Sequence, residues 1–260
     1  MIAVVLINLD KDVARLDWMS RQTRDHGLTF DRFRALSPED FTPDQRAYAQ
    51  SPQRAAMRPG EIGCLASHIA VWRRIVESGR TTLILEDDVH FARDFGDFIR
   101  ALRVDDDEIC IHRLETFLPR VSVARTPRFK LGKRAAYVLL TNHGGGAAYI
   151  LNPPTARALL GLIDAFQNNV DVELFDPDRG AASGMRIYQW IPAPCIQDQW
   201  LPARRALGLG SNIVERADIA SGVYAPRPEP LKDALRPLYT ALYDLALAPS
   251  GKSRKYVPYG

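Results

Sequence analysis

The sequence is poor in cysteine. Three cysteines occur in 260 residues, and Cys64, Cys110 and Cys195 lie far apart without a CxxC pair. An odd number of distant cysteines disfavours both a disulfide framework and a structural zinc site. We therefore expect reduced thiols and a reducing compartment, that is, a cytoplasmic protein.

Long apolar runs and a strong net charge are also missing. No segment approaches the roughly 18 consecutive apolar residues of a membrane-spanning helix, and the N-terminal MIAVVLINLDK lacks the basic start and the apolar length of a signal peptide. The 34 basic and 31 acidic residues give a net charge of +3. Because no strong global field results, we expect a soluble chain with no nucleic-acid partner.

The remaining pattern alternates strands and helices, as in an α/β domain. Residues 2–7 and 81–85 are β-rich apolar runs, and the second is so apolar that we expect a central strand buried on both faces. Residues 10–26 and 61–78 have apolar residues at helical spacing, and Gly79 ends the second helix. Further strands are predicted near 29–34, 108–112, 136–140, 147–151 and 185–190, and further helices after Pro43, from Asp94 or Asp97 to Leu102, and after Pro153 to about Phe166.

Three consecutive acids, Glu86, Asp87 and Asp88, follow the strand 81–85. Ligands in open α/β sheets bind beyond the carboxyl ends of the strands, and adjacent carboxylates become stable when a divalent cation such as Mg²⁺ or Mn²⁺ neutralises them. Because side chains alternate along an extended backbone, we expect Glu86 and Asp88 to face one ligand while Asp87 turns elsewhere. The alternative is a solvated turn whose acids favour the next helix N-terminus.

Polar residues also lie on the flank of the helix 61–78. Helical spacing places Glu61, Cys64 and His68 near one another, at the edge of the apolar stripe. A histidine in such a position is commonly packed and hydrogen-bonded, and Cys64 fits a small buried hydrophobe. The pattern alone therefore leaves both a packing role and a binding role open for His68.

A glycine run and a second acid group follow later in the chain. Residues 141–146, TNHGGG, could bring backbone N–H groups close to an anion or a sugar. Their likeness to the oxyanion element of esterases fails, because the chain has no G-x-S-x-G nucleophile elbow. The acids of VDVELFDPD, at positions 171, 173, 176 and 178, fit either a solvated loop or a general base and second metal ligand.

Four stretches in this order resemble glycosyltransferase family 25, the bacterial lipooligosaccharide galactosyltransferases and their collagen-modifying relatives. They are VVLINLDKDVARLDWM at 4–19, PGEIGCLASHIAVW at 59–72, LILEDDV at 83–89 and HGGGAAYILN at 143–152. The combination of GEIGCxxSHxxxW with LEDD is the specific part of the pattern. The resemblance covers residues 1 to about 200.

The resemblance implies an α/β fold of the GT-A nucleotide-sugar-binding type, with a mixed, mostly parallel central sheet flanked by helices. Residues 1–205 would form the catalytic domain, with a nucleotide-sugar-binding half at 1–90 and an acceptor and catalytic half at 91–205. Residues 206–260 would be a C-terminal helical extension with a basic tail.

The resemblance also implies an activity and a site. A family member would transfer a sugar, often galactose, with inversion from a UDP-sugar to a glycan such as lipooligosaccharide, using Mn²⁺ or Mg²⁺. Asp88 and Asp87 would hold the metal, and Asp171 would be the base that deprotonates the acceptor hydroxyl. The donor-binding residues would be Asn8, Arg15, Glu61, Ser67, His68, Glu86, Asp87 and Gly146.

Other functions stay open at the level of sequence. A catalytically degenerate homologue would bind a sugar nucleotide, or a partner in glycan assembly, without turnover. A nucleotidyltransferase would also place acids after a strand, but it needs a Gly-rich basic N-terminal loop, and NLDKDV at 8–13 contains no glycine.

The C-terminal part has a separate pattern. Residues 231–247 have helical spacing and precede the basic residues Lys252, Arg254 and Lys255. This pattern is typical either of a helix packed on the domain or of peripheral contact with an anionic membrane, where a lipid-linked acceptor would lie.

Overall fold

The computed structural model describes residues 1–54, 57–118, 120–201, 206–209 and 251–260, and these contain three β-sheets and six α-helices. The strands, in chain order, are β1 (Ala3–Asn8), β2 (Asp31–Arg34), β3 (Thr82–Glu86), β4 (Val89–Phe91), β5 (Cys110–Arg113), β6 (Glu115–Thr116), β7 (Arg120–Ala124), β8 (Phe129–Leu131), β9 (Arg134–Val138), β10 (Ala148–Leu151), β11 (Arg186–Ile191), β12 (Cys195–Gln197) and β13 (Lys252–Tyr256).

The helices flank this framework and are joined by short 3-10 turns. The α-helices are α1 (Val13–Asp25), α2 (Pro43–Ala49), α3 (Pro59–Ser78), α4 (Phe95–Ala101), α5 (Pro153–Leu160) and α6 (Val170–Phe175), and the 3-10 turns are Pro38–Asp40, Pro52–Arg54, Ile163–Ala165 and Asp198–Trp200.

The main sheet has eight strands in the order β2-β1-β3-β10-β5-β11-β9-β8. Strand β1 is parallel to β2 and β3, β5 is parallel to β11, and β10 runs antiparallel between β3 and β5. Strands β9 and β8 close the far edge as an antiparallel pair. Six of these eight described strands therefore run in one direction, and the expected α/β class with a mixed central sheet flanked by helices is confirmed.

Strand β3 is central, as its composition predicts. Ile84 packs with α3 and α5 on one face of the sheet, in the same cluster as Leu65, whereas Leu83 and Leu85 pack on the other face with α1 and α4. All three β3 side chains are fully buried. Because successive side chains of a strand point to opposite faces, a run of apolar residues is needed when helices cover both.

Helix α3 follows directly from its sequence. Pro59 occupies the first turn, Glu61 accepts a hydrogen bond from the backbone N–H of Arg58 (3.0 Å), and Gly79 ends the helix in the left-handed conformation, with φ of 63°. These are a capping-box interaction and a glycine stop. The buried stripe is Ile62, Leu65, Ile69 and Trp72, with Val76 partly buried beside it.

Two helix predictions need correction. The helix expected to reach Phe166 ends at Leu160, because the chain turns at Gly161 and continues as a 3-10 turn. Asp94 does precede α4, but its carboxylate gives no cap to that helix and instead receives two hydrogen bonds from Arg134 (2.6 and 2.7 Å).

The expected basic tail is part of a sheet. Residues 252–256 form β13, which pairs antiparallel with β7, and the buried Val257 accepts a hydrogen bond from Thr116 Oγ1 (2.7 Å). The segment 231–247 lies outside the described residues, so its helix, its contact with a membrane and the domain boundary at 205 stay predictions. In the part of the chain that the structure describes, no helix has the length and apolarity to cross a membrane.

Candidate active site

A cavity of about 300 Å³ lies at the carboxyl ends of β1 and β3. Parts of α3, the glycine run and α6 complete its walls. Every residue that the sequence assigned to the site lines this cavity: Asn8, Arg15, Glu61, Ser67, His68, Glu86, Asp87, Asp88, Gly146 and Asp171. Their individual roles stay predictions, but the structure brings all ten together.

Asp87 is engaged in an ion pair at the rim of β1. Its Oδ1 contacts Arg15 Nη1 at 2.5 Å, and its Oδ2 accepts a hydrogen bond from Asn8 Nδ2 at 2.7 Å. Asn8 reaches it because β1 and β3 pair in parallel with Ile7 opposite Glu86. Both oxygens of Asp87 are thus used within the protein, as expected for an acid that turns away from its two neighbours.

Glu86 and Asp88 converge on one amide group. Nε2 of Gln197 lies 3.4 Å from Glu86 Oε2 and 3.3 Å from each carboxylate oxygen of Asp88. Gln197 is brought there because β12 pairs with β4, with Gln197 opposite Val89. Burial and then the charge of Glu86 raise the pKa of Asp88 to about 7, so two carboxylates are crowded around a single neutral donor.

His68 is fixed by a chain of buried hydrogen bonds. Its Nδ1 lies 2.7 Å from the hydroxyl of Tyr149, which also accepts a hydrogen bond from Trp72 Nε1 (2.9 Å). The hydroxyl of Tyr149 can give its own hydrogen to Nδ1 when His68 is the Nε2–H tautomer. In that tautomer Nε2–H faces Glu86 Oε1 at 3.4 Å.

Cys64, His68 and Glu86 form a compact group whose potential ligand atoms lie within 4.8 Å of one another. Cys64 Sγ is 3.7 Å from the same Glu86 oxygen that faces His68. A metal on Nε2 of His68 would leave the ring hydrogen on Nδ1 as a donor to the Tyr149 oxygen, and the Tyr149 hydroxyl would then lose the acceptor for its own hydrogen. The geometry favours a different reading, in which Cys64 and His68 orient Glu86 as hydrogen-bond donors.

The first turns of α3 approach the loop after β2 closely. Ser67 Oγ accepts a hydrogen bond from the backbone N–H of Leu36 (2.8 Å) and donates one to the carbonyl of Gly63 (2.7 Å). A Cβ atom at Gly63 would lie 2.7 Å from the carbonyl oxygen of Leu36. Ser67 and Gly63 therefore shape this wall of the cavity, and Glu61 also lines it, with Oε1 3.4 Å from Asn169 Nδ2.

The glycine run forms the opposite wall. The backbone N–H of Gly145 donates to Asp171 Oδ2 at 2.9 Å, and the guanidinium of the buried Arg113 donates to the carbonyls of Gly144 and Gly145. Gly145 has φ of 89°, and a Cβ there would meet Glu115 Oε1 at 2.6 Å. A left-handed residue without a side chain is required at this position.

Within the second acid group, Asp171 lines the cavity and two other acids have structural partners. Glu173 is buried and accepts hydrogen bonds from the backbone N–H groups of residues 167, 168 and 181 (2.7 Å each). Asp176 is buried and accepts from Asn142 and Arg179. The expected solvated loop is therefore wrong for Glu173 and Asp176, which are buried, and the role of Asp171 as a base stays a prediction.

The sequence prediction did not include Gln197 and Glu115. Glu115 is fully buried, contacts Arg113 at 3.8 Å and accepts a hydrogen bond from the backbone N–H of Ala147 (2.8 Å). Burial raises the pKa of Glu115 to about 8, which shows that desolvation outweighs the attraction of the arginine. Glu115 comes shortly after β5, just as Glu86 ends β3, so the expectation that ligands bind beyond the carboxyl ends of strands could have identified it. Gln197 has no comparable signal in the sequence.

Comparison with known proteins agrees with the motifs. The family model described as "Glycosyltransferase family 25 (LPS biosynthesis protein)" matches residues 1–174. The lipooligosaccharide biosynthesis protein lex-1 of Haemophilus influenzae is 30% identical over 149 residues, which are 54% of this chain and 49% of that protein. The lacto-N-neotetraose biosynthesis glycosyltransferase LgtB of Neisseria meningitidis is 28% identical over 187 residues, 66% of this chain and 67% of the other.

Among solved structures, a glycosyltransferase involved in the glycosylation of the major capsid of PBCV-1 has a TM-score of 0.31 and 10% identity, over 62% of this chain and 66% of that one. The family match extends over more than half of the sequence and includes the acid triplet and α3. This chain belongs to glycosyltransferase family 25.

Proposed function

We propose that this glycosyltransferase is a metal-dependent, inverting enzyme of the GT-A type that moves a sugar from a UDP-sugar to a glycan. The observation that carries the proposal is the shared cavity, in which Glu86 and Asp88 lie at the end of β3 and Asp171 lies on a separate element, α6. A metal-diphosphate site and a base on different elements are what an inverting transfer needs.

The residues present fit a hard divalent cation. Glu86 and Asp88 offer carboxylate oxygens, which Mg²⁺ and Mn²⁺ prefer, and three of these oxygens surround one hydrogen-bond donor of Gln197 at 3.3 to 3.4 Å. Rotation of the Gln197 amide would turn Oε1 towards the same point, since amide oxygen and nitrogen are interchangeable in shape. When bound there, the cation would neutralise the diphosphate and stabilise the charge of the departing UDP.

Arg15 and Asn8 complete the donor side in this proposal. Arg15 is held by Asp87 and by the carbonyl of Leu209, which accepts from its Nε at 3.1 Å. A guanidinium fixed in this way supplies positive charge beside the phosphates without moving during the reaction. Asp87 accordingly positions Arg15 and Asn8, and we place the metal on Asp88 and Glu86 rather than on Asp87.

Asp171 is the proposed general base. Its carboxylate is fixed on one side by the N–H of Gly145 (2.9 Å) and lines the same cavity as the acids. It would take the proton of the acceptor hydroxyl as that oxygen attacks the anomeric carbon from the face opposite UDP, which gives inversion. Galactose is the sugar in this proposal, and the similarity to the proteins named above for lipooligosaccharide and lacto-N-neotetraose biosynthesis supports a glycan as the acceptor.

The test separates binding from transfer. Asp88→Asn is expected to abolish metal-dependent UDP binding in calorimetry, and with it turnover. Asp171→Asn is expected to retain metal-dependent UDP binding but to lose transfer by roughly 10²–10⁴-fold, the usual contribution of a general base. Asp178→Asn is the matched control, because this acid comes from the same stretch but is exposed and lies outside the cavity.

Two results would overturn the proposal. Full activity of Asp88→Asn would refute the metal assignment. Metal-dependent UDP binding by the wild-type protein, with neither hydrolysis nor transfer to any acceptor, would favour a degenerate binding homologue. A thermal-shift screen of UDP-sugars with Mn²⁺ or Mg²⁺ would identify the donor, since a ligand that binds the folded state raises the melting temperature.

A further inference from the structure

Two aromatic rings lie just outside the cavity, on its Asp171 side. The ring centroids of Phe117 and Trp200 are 5.6 Å apart, with an interplanar angle of 42°. Trp200 is 39% exposed, whereas Trp72 and Trp190 are buried in the core. Removing the apolar surface of a tryptophan ring from water is favourable. An exposed tryptophan next to a site therefore suggests a ligand that covers it.

The position of Phe117 is fixed by a neighbouring ring and by the backbone turn that follows it. The ring of the buried His143 lies 4.9 Å from it, and the next residue, Leu118, has φ of 65°. Thr116 Oγ1 accepts the N–H of Leu118 at 2.8 Å and so maintains this left-handed turn. A bulky residue with positive φ is uncommon and costs energy, and such residues are concentrated at functional sites.

Trp200 is equally fixed, through its turn. The buried Asp198 begins this turn, contacts His90 at 2.7 Å and accepts the backbone N–H groups of Leu207 (2.7 Å) and Leu209 (3.0 Å). These contacts anchor the 3-10 turn to β4 and to the segment 206–209. The ring of Phe117 and the backbone turn that carries Trp200 are therefore held before a ligand binds, which lowers the entropic cost of binding.

Phe117 and the proposed base border the same glycine, Gly144. A Cβ atom built on Gly144 would lie 3.3 Å from Asp171 Oδ2 and 4.0 Å from Phe117 Cε1. Gln199, directly before Trp200, lines the cavity itself. A group that rests on Phe117 therefore lies near Asp171, the proposed acceptor of the hydroxyl proton.

We propose that Phe117 and Trp200 form the acceptor subsite and bind a pyranose ring through its face of C–H groups. The proposal rests on the proposed function and specifies its acceptor as a terminal sugar with such an apolar face. Two aromatic side chains bury at most about 150–250 Å² each, well below the roughly 800 Å² per partner of a stable protein interface. The area suits one sugar ring.

The experiment measures acceptor binding separately from donor binding. The probes are methyl β-galactoside, methyl β-glucoside and methyl β-N-acetylglucosaminide, titrated by saturation-transfer NMR with and without UDP and Mn²⁺. Trp200→Ala and Phe117→Ala are each expected to weaken the best glycoside about three- to tenfold, the range that one aromatic contact contributes. Trp200→Phe, which retains a ring, is expected to restore most of the affinity.

Ile109→Ala is the matched control, because Ile109 is 47% exposed and lies directly before the amino end of β5, outside the residues that line the cavity. Glycoside affinity equal to wild type within twofold in Trp200→Ala, or no glycoside binding by the wild type under either condition, would overturn the subsite. A lower UDP affinity in Trp200→Ala at unchanged glycoside affinity would also overturn it, by placing the uracil base on the rings. Failure of the wild type to bind UDP with metal would instead refute the proposed function.

Discussion

Glu86, Asp87 and Asp88 are neighbours in sequence but have different surroundings. Asp87 is neutralised by Arg15, whereas Glu86 and Asp88 share the single amide donor of Gln197. The alternation of side chains along the strand end separates them in this way. Asp87 is tolerated because it is ion-paired, whereas burial and the charge of Glu86 raise the pKa of Asp88 to about 7.

Replacement of Tyr149 tests the hydrogen-bond chain behind Glu86. Tyr149→Phe removes the hydrogen that fixes Nδ1 of His68, so we expect the histidine to change from one Nε2–H tautomer to a mixture. Because partners behind a site residue usually contribute 10- to 100-fold, UDP affinity in the presence of metal should fall about tenfold. The ¹⁵N chemical shifts of the His68 ring report the tautomer directly.

His112 is an internal control for this measurement. Its Nδ1 accepts a hydrogen bond from Trp190 Nε1 (3.2 Å), and no part of that contact involves Tyr149. Its signals should be the same in both proteins. A protonated Nδ1 on His68 in the wild type would contradict the assignment.

At the residue scale, ten of the residues that line the cavity could be predicted from sequence. The ten assigned residues lie in continuous motifs, and strand ends and helix spacing place them on facing elements. Gln197 could not be found in this way, because it reaches the site through the three-residue β12, whose pairing with β4 depends on tertiary contacts. Trp200 was missed for the same reason, since a short turn carries no periodicity.

At the scale of elements, the contact between α3 and the loop after β2 can be tested by adding one methyl group. In Gly63→Ala the new Cβ would lie 2.7 Å from the carbonyl oxygen of Leu36, so the helix must move away. We expect the free energy of unfolding to fall by roughly 1–3 kcal/mol, as for other overpacked sites. UDP affinity should fall as well, because Gly63 and Leu36 both line the cavity. Urea unfolding and calorimetry measure the two effects.

Gly79→Ala is the matched control from the other end of α3. This glycine has φ of 63° but no atom within 4 Å of a built Cβ. The substitution should cost about 1–2 kcal/mol of backbone strain and leave the dissociation constant of UDP unchanged. Equal effects of both variants on UDP binding would refute a local role for Gly63.

Elements with strong periodicity or strong stop signals were predictable, and short ones were not. Helix α3 has a capping acid, an apolar stripe and a terminal glycine, all of which act within the helix itself. Strands such as β6, with two residues, and β13 form because a distant strand presents unpaired N–H and C=O groups. Pairing of this kind is decided by tertiary context rather than by local sequence.

At the scale of the whole molecule, Glu115 should make stability depend on pH. Its pKa is raised to about 8 in the folded state, against about 4.3 in an unfolded chain. Below pH 4 both states hold the proton, and between about pH 4 and 8 the unfolded state releases it first. Stability is therefore lost as pH rises through this window, by at most about 1.4 kcal/mol per pH unit.

Glu115→Gln removes this titration but retains an acceptor for the N–H of Ala147. The variant should gain stability relative to wild type between pH 5 and 8, and the two should converge near pH 4. Urea unfolding at each pH measures the difference. A constant difference across this range would show that Glu115 is ionised in the folded protein.

The arrangement of the sheet has a consequence for synthesis of the chain. Strand β3 is made early, but its partner β10, which links it to β5, begins only at Ala148. While residues 87–147 emerge from the ribosome, the apolar edge of β3 has no strand on that side. An open edge of this kind readily pairs with other chains. Slower growth of the expressing cells, or a co-expressed chaperone, should therefore increase the yield of folded protein more than substitutions of exposed residues do.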